Sequence, residues 1–105
     1  MSIWAAFDDG RSIGKVSSEG FVILRDDEHE QGARITLKHG ASHSSISCNI
    51  YGKMDHTRFF KTILDAEREF NPMKMELGKI VSKIKETKDQ IQMWIDISEF
   101  VRRFE

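Results

Sequence analysis

Apolar and polar residues alternate at period two through the first half of the chain and recur every three to four residues through the second. Strands alternate their faces and helices repeat at 3.6, so the pattern predicts a sheet followed by helices. Ile3 to Phe7 alternates loosely and ends in Asp8-Asp9-Gly10, a turn sequence that closes a first strand. Ser12 to Val16 is weak because Gly14 interrupts it, whereas Phe21 to Leu24 is a four-residue apolar run that predicts a buried strand. The acidic stretch Asp26 to Gly32 predicts a solvated connection. Ala33, Ile35 and Leu37 then face a core at strict alternation, and Ile46, Cys48 and Ile50 answer them across the small polar loop Gly40 to Ser45. This pairing predicts a hairpin with Cys48 pointing inward.

After Tyr51-Gly52 the period changes. Asp55 or Thr57 could cap a helix, and Phe59, Phe60, Ile63, Leu64, Ala66 and Phe70 follow at helical spacing. The same apolar phase continues through Met73, Leu77, Ile80 and Ile84, so Asn71-Pro72 either starts a second helix or kinks a continuous one. Thr87 or Asp89 caps a last helix that carries Ile91, Trp94 or Ile95, Ile97, Phe100, Val101 and Phe104. The expected fold is α+β, with an antiparallel sheet of four to five strands in the N-terminal half and two or three helices in the C-terminal half. Residues 1–105 make one domain.

Charge narrows the choice of partner. Sixteen Lys and Arg balance 17 Asp and Glu for a net charge of -1, which provides no global attraction to nucleic acid or anionic membrane. Lys74 and Lys85 lie on one flank of the apolar stripe and Lys79 and Lys83 on the other, so they form no single basic face. No apolar run approaches the roughly 18 residues needed to span a bilayer, and the first residues lack the basic leader of a signal peptide. Cys48 is the one cysteine, which excludes an intrachain disulfide and fits a reducing compartment, with the cytoplasm as the expected location.

Motifs for chemistry are absent. His29, His39, His43 and His56 do not fall at zinc-ligand spacing, and Asp26 to Gln31 lacks the alternating oxygens of a calcium loop, so neither metal nor cofactor is expected. There is no nucleophile elbow and no phosphate-binding Gly-rich loop. Two features remain. Tyr51, His56 and Arg58, with Glu67 nearby, gather polar groups at the expected strand-to-helix junction and would suit a small-ligand pocket or an enzyme site. Met73, Leu77, Ile80, Ile84, Trp94 and Phe104 offer more apolar helix than a short sheet requires and would suit an interface with another protein or a second copy. The favoured reading is a non-enzymatic interaction domain, a homodimer or a binder of another protein. A ligand-binding protein or enzyme is the alternative.

Overall fold

In a computed structural model, which describes residues 3–86 and 88–105, five strands precede two helices. The strands are β1 (Trp4–Ala6), β2 (Val22–His29), β3 (Ala33–His39), β4 (Ser44–Ile50) and β5 (Met54–Phe60), and the helices are α1 (Ile63–Glu86) and α2 (Gln90–Arg103). Each strand pairs antiparallel with the next, giving a simple meander of order β1-β2-β3-β4-β5. The α+β class, the antiparallel sheet and the order of the two halves are therefore as expected. No helix among the described residues is long and apolar enough to cross a membrane.

Register determines what each face presents. Ile35 pairs with Cys48, and Cys48 with His56, so the apolar residues of β3 and β4 share one face. On that face Ala33, Ile35, Leu37, Ile46 and Cys48 are fully buried. α1 lies across β3, β4 and β5 and contributes Ala66, Phe70, Met73, Leu77 and Val81, while α2 packs on α1 through Met93, Ile97, Phe100 and Phe104. The opposite face is polar. Asp26, Thr36, Ser47 and Thr57 stand in one cross-strand row there, with Thr36 donating to Asp26 at 3.0 Å and the Ser47 and Thr57 hydroxyls 3.1 Å apart.

Three expectations are corrected. Phe21 to Leu24 is not a buried strand: β2 begins at Val22, a bulge falls between Ile23 and Arg25, and Leu24 is exposed. The acidic stretch is not a connection either, because Asp26 to His29 completes β2 and only Glu30-Gln31-Gly32 forms the turn. These polar residues sit in a sheet because they find partners on both sides. Arg34 clamps Asp26 with bonds of 2.8 and 2.6 Å on the outer face, and Lys74 of α1 reaches Asp27 at 2.9 Å on the inner one. Lastly, Asp55 and Thr57 cap no helix. They lie in β5, and α1 starts beyond Thr62, whose hydroxyl accepts from the Asp65 amide at 3.2 Å.

The alternatives at Pro72 resolve into one continuous α1 with Pro72 inside it. α2 is capped by Asp89, which accepts from the Ile91 and Gln92 amides at 3.1 Å. The other cap considered, Thr87, lies outside the described residues.

Candidate functional site

Tyr51, His56, Arg58 and Glu67 are each engaged elsewhere. Tyr51 lies in the β4–β5 turn, where Gly52 takes up a φ of +77°, and its hydroxyl donates to Glu28 at 2.5 Å. Burial and that acidic neighbour push the phenol up to about 12. His56 faces the helices from β5, and its Nε2 donates to the Phe104 carbonyl at 2.8 Å, tying the edge strand to the end of α2. Arg58 stacks over the Phe60 ring at 4.8 Å and pairs with Glu69 at 3.5 Å. Glu67 on α1 meets Arg25 at 3.5 Å, and Arg25 in turn covers the Phe70 ring at 4.1 Å. The four side chains point to four different partners, and Tyr51 lines a cleft that includes none of the other three.

The apolar candidates divide more sharply. Met73 and Leu77 are fully buried, Ile80 and Phe104 nearly so, and Ile84 is half-buried against the same core. Met73, Leu77, Ile80 and Phe104 are spent on the chain's own sheet and helices, while Ile84 keeps part of its surface open. Trp94 is different. With Ile91 and Ile95 it forms an outward stripe on α2, and the three are 75%, 49% and 45% exposed in the order Ile91, Trp94, Ile95. Ser98, Glu99 and Arg102 continue the same shallow surface.

This stripe arises because α2 has apolar residues in two helical phases. Met93, Ile97, Phe100 and Phe104 repeat by three or four on one side. Ile91, Trp94, Ile95 and Ser98 repeat by the same steps on roughly the opposite side at about 100° per residue. The first phase reaches α1, and the second has no element of the described chain above it. The sequence pattern put Trp94 among the interface candidates but merged Ile91, Trp94 or Ile95 with Ile97 and Phe100 into a single apolar stripe. Separating the two phases would have found the surface.

The titrating groups away from this stripe are structural in character. Cys48 is walled in by the core, and burial raises its thiol to about 12, far from a nucleophile's range. Asp26 resists the upward pull of its burial. The hydrogen bonds from Arg34 and Thr36 and the guanidinium charge hold its carboxyl below the ordinary carboxylate value. Arg34 also lies over the Phe7 ring at 3.5 Å, so this ion pair pins the Phe7–Gly10 turn to the outer face of the sheet.

His29 is buried under α1 with its Nδ1 accepting from the Gln31 amide at 3.1 Å. Its Nε2 has no hydrogen-bond partner among the described residues, and the Trp4 ring stands edge to face against it at 4.9 Å. Burial lowers its pKa, an effect that nearby Glu30 partly offsets. No group of His, Cys, Asp and Glu suited to a metal ion occurs among the described residues. No protein-family model, curated protein or solved structure matches this chain.

Proposed function

We propose that this protein is a non-enzymatic interaction domain that self-associates through the outer face of α2. The exposure of Ile91, Trp94 and Ile95 as one contiguous helical stripe carries the reading. Single exposed apolar residues are ordinary, but three adjacent ones including a tryptophan form the kind of anchor that dominates interface energetics. A second copy suits this face because its flank carries both signs of charge, Arg102 beside Glu99. A two-fold contact sets a surface against itself, so a face with both signs can offset its own charges. The buried, solitary Cys48 favours a reducing compartment such as the cytoplasm as the place where this occurs.

Light scattering tests the proposal directly. At about 50 µM the chain is expected at twice its 12.2 kDa mass, and a variant with Ile91, Trp94 and Ile95 each replaced by serine at the mass of one chain. A wild-type protein that remains a single chain at that concentration would overturn the self-association.

A further inference from the structure

A second surface, independent of the α2 stripe, lies at the end of the molecule where two strand turns meet the helices. The β2–β3 turn, the β4–β5 turn, the end of α1 and residues 88–89 before α2 line a cleft of about 590 Å³. Its floor is apolar, made of Ile50, Val81, Ile84 and Met93. Its rim carries Lys53, Lys85 and Lys88. From these features we infer that the cleft binds a small amphipathic anion, an alkyl or aryl chain bearing a carboxylate or similar head group.

The charges at the rim make the case. Lys74, Lys79 and Lys83 of α1 each meet a carboxylate within 4 Å, at Asp27, Glu76 and Asp96. Lys53, Lys85 and Lys88 have no ion pair among the described residues, although they gather around one concavity. The lining includes one acidic side chain, Asp89, and its carboxylate already accepts the Ile91 and Gln92 amides at the start of α2. Three like charges around an apolar floor repel one another, and an anion between them relieves that repulsion.

The floor demands something more than an inorganic anion. A hydrated phosphate would leave the half-buried Ile84 wet, whereas an alkyl chain covers it while its head group stays at the lysines. The volume is in the range of small-molecule sites. The walls are also well tied. The Tyr51 amide donates to the Gly32 carbonyl at 3.0 Å, and Ser82 of α1 donates to Gln31 at 2.9 Å, so strand turns and helix are held together around the opening. Preformed walls spare a ligand the cost of ordering them.

Calorimetric titration with decanoate, alongside decan-1-ol and inorganic phosphate as separate arms, tests the assignment. Decanoate is expected to bind saturably at one site, with both other probes weaker by at least about tenfold. Replacing Lys53, Lys85 and Lys88 with alanine should weaken decanoate by at least about tenfold, and the affinity should fall as salt is added. An Ile84→Trp variant, which fills the cleft without changing its charge, should abolish binding. Circular dichroism establishes that both variants are folded. Equal affinity for phosphate would reduce the cleft to a plain anion site, and equal affinity for decan-1-ol would make the lysines irrelevant. Decanoate affinity unchanged in the folded lysine variant overturns the inference. The α2 stripe is untouched by these substitutions, so failure here leaves the self-association to stand or fall by its own test.

Discussion

Both helices are amphipathic, but α1 presents one apolar stripe and α2 presents two. Nearly all of α1's apolar side chains are consumed by the sheet, and the exposed ones, Leu64 and Met75, stand three turns apart. α2 fills the remaining side of the core with Met93, Ile97, Phe100 and Phe104 and turns Ile91, Trp94 and Ile95 outward. One helix spends its apolar residues on the fold, and the other keeps a second set exposed. The lesson is that total apolar content does not locate an interface. The phase of the apolar residues does, because only residues out of phase with the core remain free.

Paired substitutions give the largest test of that division. Phe70→Ala on α1 removes a fully buried ring and should cost about 3–5 kcal/mol in denaturant unfolding. Trp94→Ala on α2 should change the stability of the isolated chain by less than about 0.5 kcal/mol while weakening its association. Unfolding must be measured at a concentration where the wild type is dissociated, since a dimer gains stability by mass action. A large loss of stability for Trp94→Ala under those conditions would erase the distinction between the helices.

Pro72 gives a smaller and opposite effect. It lies within α1 and donates no bond to the Arg68 carbonyl one turn earlier, so α1 pays for its continuity with one broken rung. Pro72→Ala restores the amide and should stabilise the chain by about 1–3 kcal/mol, with α2 association unchanged. No gain in the unfolding midpoint would mean that α1 has already absorbed the defect, in which case it is a less rigid scaffold than the comparison supposes.

How far the fold could be read in advance depended on how cleanly each segment separated its two faces. β3 and β4 were legible because Ala33, Ile35, Leu37 and Ile46, Cys48, Ile50 alternate with polar residues, and both faces of those strands have distinct environments. β5 was not. Its inward positions Met54, His56, Arg58 and Phe60 mix polar with apolar groups, while Phe59 points outward and is 66% exposed. The adjacent Phe59-Phe60 pair joined the helical spacing of Ile63 and hid the strand. The polar end of β2 was misread for a related reason, since its burial depends on Arg34 and Lys74, partners that local sequence does not reveal. The polar cluster proposed at Tyr51, His56 and Arg58 rested on a helix start that the strand replaces. The cleft joining Lys53 to Lys85 and Lys88 needed the strand turns and the helices to be brought together, which no local pattern encodes.

The smallest effect concerns what lies beneath each helix. α2 closes over His56, whose Nε2 has a carbonyl to donate to, but α1 closes over His29, whose Nε2 has no such acceptor among the described residues. Gly78 of α1 approaches this imidazole so closely that a Cβ there would lie 3.8 Å from its Cδ2 and 3.3 Å from the Trp4 indole nitrogen. A protonated His29 therefore has no hydrogen-bond acceptor at Nε2 among the described residues, and burial lowers its pKa in the folded chain, with Glu30 offsetting part of the effect. The unfolded chain binds the proton first. His29 thus contributes its full stability above its unfolded value of about 6.5, and that contribution is lost as the pH falls below it. The Asp26 contribution is lost only in stronger acid, as the pH passes from the ordinary carboxylate value down through its lowered one. Between about pH 7 and 5 the two are separable, and a single group can tilt stability by at most about 1.4 kcal/mol per pH unit. His29→Asn keeps an oxygen to accept the Gln31 amide and cannot be protonated in this range. Its unfolding free energy should be flatter across that interval than the wild type's. An identical slope in the two proteins would move the acid sensitivity away from α1 and its underside.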